Sequence, residues 1–202
     1  MQRLPDRADY WPGWAKLLHG AMRAYVRYWQ GAYLGRSTVP TGGPAILACN
    51  HVSVLDPVLL IASNQRIISF IVAQEYYDQP LLRPLLDAVG CIPVRRDGHD
   101  RAALLKARQV LWEGRVLGLF PEGGIGRDAA AAREGIAWLV QQTEAPVIPA
   151  RITCARQIGG DLRTYLTRQR PYLRYGPQLR LKKEMNRQEI LLEVMAAIEA
   201  LE

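Results

Sequence analysis

Four apolar runs set the framework of the chain, at residues 45–49, 67–73, 116–120 and 146–152. They are short, mostly free of charge and closed by polar or turn-forming residues. That pattern predicts strands buried on both faces. Between them the apolar spacing changes to three and four. Ala103, Leu104, Ala107, Val110 and Leu111 predict an amphipathic helix over 100–113, with Gly114 as its stop. Ile136, Leu139 and Val140 predict another within 127–142, after a loop. Residues 75–89 read as a helix broken by Pro80 and Pro84 and stopped by Gly90. A short strand at 91–94 follows, where Pro93 suits an edge or irregular position. Asn186, with Glu189 three residues on, predicts a capped last helix. Its inward stripe is Ile190, Leu191, Val194, Met195, Ile198 and Leu201. Strands alternate with helices, so the expected class is α/β: a single domain with a mixed, largely parallel sheet flanked by helices. Residues 153–174 show no clear period. At the end of that stretch and after it, 173–175 and 179–181 read as short strands around Gly176-Pro177.

The N-terminal region has its own pattern. Trp14, Leu17, Leu18, Ala21, Tyr25, Trp29 and Ala32 form an apolar stripe at helical spacing over 14–34. Lys16, His19, Arg23, Arg27 and Gln30 take the other side, and no acid occurs between Asp9 and Asp56. Two placements fit equally: the stripe packs on the domain, or it lies in a membrane interface. Residues 1–36 are thus a basic, aromatic helical region ahead of an α/β portion at 37–202, the two forming one structural domain. No repeat, low-complexity tract or linker divides them.

Composition narrows the partners. The chain has 202 residues, a formal net charge of +7 and a pI near 9.6. A basic excess points to an anionic partner: nucleic acid, an anionic membrane surface or a phosphorylated substrate. The three cysteines, Cys49, Cys91 and Cys154, are widely separated and lie in or beside apolar runs. They read as reduced cytosolic thiols rather than as a disulfide framework or metal motif. No signal peptide and no apolar run long enough to span a bilayer is expected.

The chemistry gathers where strands end. Asn50-His51-Val52-Ser53-Val54-Leu55-Asp56-Pro57 stands between the first strand and the helix after it. Open α/β sheets place their sites at such junctions. Asp56 before Pro57 reads either as a helix N-cap or as the reciprocal acid of a cap at Ser53. A neutral imidazole such as His51 can take a proton from an alcohol attacking a carbonyl. A carboxylate on its other nitrogen, here Asp56, fixes the tautomer and stabilises the imidazolium. No Gly-x-Ser-x-Gly nucleophile occurs, which favours direct transfer to an alcohol. Arg95 and Arg96 follow the 91–94 strand, and Glu122-Gly123-Gly124 follows the 116–120 strand. Arg96 suits a phosphate, for which its planar fork is matched, while Arg95 reads as solvated surface. Glu122 and Gly123 suit a tight turn approached by ligand. His19 and His99 read as structural.

Four blocks carry a resemblance: residues 50–56, Gly90-Cys91-Ile92-Pro93-Val94-Arg95-Arg96, Phe120-Pro121-Glu122-Gly123-Gly124 and 146–152. In order and spacing they resemble those of the glycerolipid acyltransferases, most nearly the bacterial 1-acylglycerol-3-phosphate acyltransferases. The resemblance implies His51 as general base, with Asp56 orienting it. It implies Asn50, Ser53, Arg96, Glu122 and Gly123 as substrate-binding residues, Arg96 and the 122–123 turn holding the acceptor's phosphate and glycerol. The donor would be acyl-CoA or an acyl carrier protein, the acceptor a lysophospholipid. No metal or cofactor would be needed, and no nucleic acid would be bound. The protein would be peripheral or monotopic, at the cytoplasmic side of the cell membrane. After Phe120-Pro121-Glu122-Gly123 the family usually carries Thr or Ser, then Arg or another polar residue. Gly124 and Ile125 stand there instead, with Arg127 as the nearby cation. Two other readings therefore stay open: transfer to a different lipid alcohol, and a non-catalytic membrane-surface lipid-binding relative. Nucleic-acid binding, suggested by the Arg and Tyr of 163–174, lacks a motif.

Overall fold

The computed structural model of the protein describes residues 11–80, 82–94, 101–121, 129–154 and 163–201. Seven strands form one sheet: β1 (Tyr33–Leu34), β2 (Ala45–Cys49), β3 (Ile68–Ala73), β4 (Ile92–Val94), β5 (Val116–Leu119), β6 (Val147–Thr153) and β7 (Tyr172–Tyr175). Their order is β1-β7-β6-β2-β5-β3-β4. Every pairing is parallel except β6 with β7. The class is therefore the expected single α/β domain with a mixed, largely parallel sheet. Of the expected pair 173–175 and 179–181, the first is β7. The second reduces to one bridge, Leu179 to Val147, too short to count as a strand.

Alternation along β2 explains why its run is apolar throughout. Ala45, Leu47 and Cys49 face one core with α2 (Asp56–Ser63). Ile46 and Ala48 face the other, built with α5 (Arg101–Trp112), α6 (Ala129–Thr143) and α8 (Arg187–Glu199). A strand covered on both faces has no polar positions to offer. The broken helix resolves into α3 (Gln74–Tyr77) and α4 (Arg83–Ala88), and α7 (Arg163–Leu166) is one further turn. Gly114 ends α5 in the left-handed region, φ 79°, with the Arg115 N–H returning to the Val110 carbonyl. The capping box of α8 forms in full: Asn186 Oδ1 accepts from Glu189 N at 2.8 Å, and Glu189 Oε2 from Asn186 N at 3.0 Å.

The N-terminal helix corrects the reading in two ways. It is shorter: α1 (Gly13–Ala24) passes into a π-helical turn at Tyr25–Trp29, and Gly31 (φ 67°) turns the chain into β1. It also docks mostly by another face, sharing only Tyr25 and Ala32 with the expected stripe. Ala15 and Val26 are buried, with His19, Met22 and Tyr25 half-buried beside them. Leu17 is 82% exposed, and Leu18, Ala21 and Trp29 also face outward. The small Ala15 lets α1 approach α2 closely. His19 then donates Nε2–H to the carbonyl of Ile61 in the last turn of α2, at 3.0 Å, and stacks on Trp11. His19 is structural, as expected, yet it belongs to the buried face.

Candidate active site

The parallel strands β2, β3, β4, β5 and β6 all present their carboxyl ends at one rim. β2 delivers Asn50 and His51 there. The Asn50 side chain continues the β2–β6 ladder one residue further: its Nδ2 donates to the Ile152 carbonyl at 2.9 Å, and its Oδ1 accepts from Ile152 N at 2.7 Å. This two-way bond fixes where β2 stops and where His51 begins. The 52–55 turn then closes on itself. Ser53, buried, accepts from Leu55 N through Oγ at 3.2 Å, and its carbonyl accepts from Asp56 N at 3.1 Å.

Asp56 is the hub. It is fully buried at the first position of α2, and its Oδ2 accepts three bonds. These come from His51 Nδ1 (2.8 Å), Val52 N (2.7 Å) and Ser53 N (2.8 Å). Of the two capping readings, neither holds in full. Asp56 lies inside the helix rather than capping it. The bond from Ser53 N to Asp56 is the reciprocal half of a capping box, but Ser53 Oγ turns to Leu55 instead of Asp56 N. A carboxylate oxygen only accepts, so His51 Nδ1 carries a proton, and the neutral ring keeps its acceptor at Nε2. The ring stacks on Phe120, centroids 4.2 Å apart, and Phe120 stacks in turn on Phe70 at 5.9 Å. His51 keeps 15% of its side chain exposed.

A second support was not legible in the sequence. Tyr165, from α7, donates its hydroxyl to the Val54 carbonyl at 2.9 Å, inside the His51–Asp56 turn. The Tyr165 carbonyl accepts from Tyr25 Oη at 2.6 Å and from Gln30 Nε2 at 3.1 Å. Gln30, fully buried, also donates to Tyr25 Oη at 2.7 Å and accepts from Gln169 N at 3.1 Å. The π turn sets Tyr25 and Gln30, five residues apart, on one side. Burial, helped by Tyr25, Tyr76 and Asp56, pushes the Tyr165 hydroxyl up to about 12, so it remains a donor. Burial also pushes the Cys154 thiol, just beyond β6, up to about 11, with the Asp56 charge adding to it. None of the three cysteines is in a disulfide. Phe120 could have been suspected from its place at the end of an apolar run. Tyr165 gives no such signal, because its partners lie more than 100 residues away in sequence.

Of the residues expected to bind substrate, Asn50 and Ser53 are thus seen bonded to backbone around His51. Arg96, Glu122 and Gly123 lie outside the described residues, as do Arg95, His99, Gly124, Ile125 and Arg127. β4 and β5, from which these segments depart, do end at the His51 rim. Among the described residues, no group of three or more His, Cys, Asp or Glu is placed to hold a metal ion.

A relative from Bacillus subtilis named 1-acyl-sn-glycerol-3-phosphate acyltransferase is 22% identical over 116 residues. One of the same name from Borreliella burgdorferi is 26% identical over 122 residues. The matched segments cover 57% and 58% of this chain and 58% and 49% of those relatives, so the chain matches only about half of their length. The crystal structure of the 1-acyl-sn-glycerophosphate acyltransferase PlsC from Thermotoga maritima shares the fold. Its TM-score is 0.69 at 16% identity, over 92% of this chain and 79% of that one. The acyltransferase family model matches residues 32–153, from just before β1 to the end of β6, and so takes in the whole His51 rim. The chain belongs to the acyltransferase family.

Proposed function

We propose that the protein moves a fatty acyl group from a thioester donor, acyl-CoA or acyl carrier protein, to the hydroxyl of a lysophospholipid. The acceptor that fits the family best is 1-acylglycerol-3-phosphate, which places the reaction in phospholipid synthesis. The observation that carries this reading is the His51–Asp56 bond at a rim shared by five parallel strands. His51 Nε2 takes the hydroxyl proton as the acceptor oxygen attacks the thioester carbonyl. Asp56 stabilises the imidazolium through Nδ1–H. When the C–S bond breaks, the proton passes from Nε2 to the departing thiolate, leaving an ester and a free thiol. Asn50 and Ser53 hold the loop that presents His51. Arg96 and the Glu122-Gly123 turn take the acceptor's phosphate and glycerol. The reaction runs without metal or prosthetic group.

The reading includes work at the cytoplasmic face of a membrane. Among the described residues no helix is long and apolar enough to cross a bilayer. The outward Leu17 and Leu18 of α1, beside exposed Lys16 and Arg23, suit an interfacial position. A second reading, a lipid-binding relative without turnover or one with another acceptor, is favoured only by Gly124-Ile125.

The test is thiol release from acyl-CoA and acyl carrier protein with a panel of lysolipids, products identified by mass spectrometry. His51→Ala should lower turnover roughly 10²–10⁴-fold with the fold intact. Normal turnover by that variant removes the mechanism. No release with any acceptor removes the reading.

A further inference from the structure

A cleft of about 620 Å³ lies away from His51. It opens at the sheet edge, between the π turn and the starts of β1 and β7. Arg27 and Tyr28 form one wall, Tyr33 another, and Arg170 and Tyr172 a third. No acid lines it, and neither arginine is in an ion pair among the described residues. Arg170 holds a left-handed backbone, φ 52°, unusual for a residue with a side chain. Its N–H donates to the Gln30 carbonyl at 2.9 Å, so the network that supports the His51 turn also pins Arg170. Backbone strain maintained by specific bonds points to a local task. Tyr33 and Tyr172 pair across the strands at 5.6 Å and stay 59% and 50% exposed.

Register places the cleft on the His51 rim. Tyr172 pairs with Thr153 at the end of β6 on one side and with Tyr33 on the other. Ile152, next to Thr153, is the residue that Asn50 holds. The outward positions Leu17, Ala21, Ala24 and Tyr28 recur at helical spacing, the last of them in the cleft wall. Arginine forks match phosphate oxygens, and tyrosines suit a boundary where one side is apolar and the other wet. Exposed Leu17, Leu18 and Trp29 have nothing to meet along a nucleic-acid backbone but do enter a lipid interface.

We propose that this cleft holds the phosphate headgroup of an anionic phospholipid of the bilayer, at a site separate from the acyl-transfer centre. Headgroup binding there turns the shared rim, with His51, toward the lipid surface. The inference rests on the proposal that the protein works at a membrane.

The experiment is vesicle sedimentation with phosphatidylcholine alone and with about one-third phosphatidylglycerol. The wild type is compared with Arg27→Gln/Arg170→Gln and with a control of equal charge, Arg180→Gln/Lys182→Gln. The control residues flank Leu181, near the start of β6, where Leu179 pairs with Val147. The cleft variant should lose about thirtyfold in affinity for the anionic vesicles, from about fivefold per arginine near the surface. The control should stay within about threefold of wild type, and all three should release thiol equally from detergent-dispersed substrate. Equal losses in the two variants overturn the cleft and leave the membrane reading standing. No vesicle binding by the wild type overturns both. Displacement of bound vesicles by a single-stranded RNA at physiological salt, in wild type and not in the cleft variant, assigns the cleft to nucleic acid and overturns it too.

Discussion

The five strands from β4 to β6 and the two at the opposite edge share apolar burial but differ in what is added to it. The parallel block is a matter of burial. Ile46, Leu47, Ile68, Leu117 and Ile148 are all fully or almost fully covered, in two cores on opposite faces of the sheet. The edge formed by β7, β1, the π turn and α7 buries Val26 and Leu173 in one of those cores and adds polar bonds around one buried glutamine, Gln30. His51 stands at the seam. The block fixes it through Asn50 and Phe120, and the edge reaches it through Tyr165 and Val54. Non-directional burial can set where a strand lies, while a directional bond is needed to aim a turn at its end.

The sharpest way to test the block's part is Asp56→Asn. An amide oxygen in the place of Oδ2 keeps the bonds from Val52, Ser53 and His51. The amide nitrogen then takes the place of Oδ1, which has no partner among the described residues. Geometry survives and the charge that stabilises the imidazolium is gone. Turnover should fall by about 10²–10⁴, with a stability loss of no more than about 1–3 kcal/mol from the buried amide N–H groups left without a partner. A large loss of stability would mean that the carboxylate is chiefly a fastening for the turn.

Two core variants contrast the regions directly. Leu47→Ala removes a fully buried side chain from the block and should cost about 2–5 kcal/mol of global stability. Gln30→Leu keeps the volume but strands the Gln169 N–H, at about 1–3 kcal/mol. The second loss should be local: hydrogen exchange speeds up at Gln169 and Arg170 and stays slow in β2. Uniformly faster exchange in both variants would show the edge and the block to be one cooperative unit.

This difference also explains what could be read from the chain alone. The block was legible because burial on both faces leaves continuous apolar runs, and because Gly114 and Asn186 mark helix ends locally. The His51–Asp56 pair was legible for the same reason, lying five residues apart at a strand end. The edge was not. Residues 163–170 are ordered by Tyr25 and Gln30, which leaves no period in the segment itself. In the N-terminal region, hydropathy identified the stripe with Leu17 and Leu18, whereas docking used Ala15, His19 and Met22 of α1 and Tyr25 and Val26 of the π turn. Close helix approach rewards small residues and a placed hydrogen bond over total apolarity.

Cys154 tests the seam by its chemistry. A thiol raised from 9.0 to about 11 has roughly a hundredfold less thiolate at pH 8, so alkylation by iodoacetamide should slow by about that factor against an ordinary thiol. In Asp56→Asn, without the nearby charge, labelling should quicken, though not to the ordinary rate, since burial is the larger cause. The sign for stability follows from the neutral thiol being favoured in the fold. From about pH 9 to 11 the unfolded chain ionises while the folded protein does not, so stability falls as pH rises through that window. Labelling at the ordinary rate would show that half-burial beside Asp56 leaves the Cys154 thiol unshifted.

Tyr165→Phe is the mildest change and asks whether the edge matters to catalysis at all. The ring stays, and only the donor to the Val54 carbonyl is lost. A hydrogen bond of net worth about 1 kcal/mol corresponds to about fivefold. The turnover number should fall by about that factor with KM within twofold, because the bond aims the His51 turn and touches no substrate. Tyr25→Phe, which removes the bond to the Tyr165 carbonyl and the one from Gln30 Nε2 but leaves the Tyr165 hydroxyl on Val54, should do less. The wild-type dependence on this residue should be flat up to about pH 10, since its hydroxyl ionises only near 12. A merely structural tyrosine would lower the melting temperature and leave the turnover number of folded protein untouched. That outcome would make the parallel block alone sufficient to aim His51, and the polar edge an attachment for the N-terminal helix.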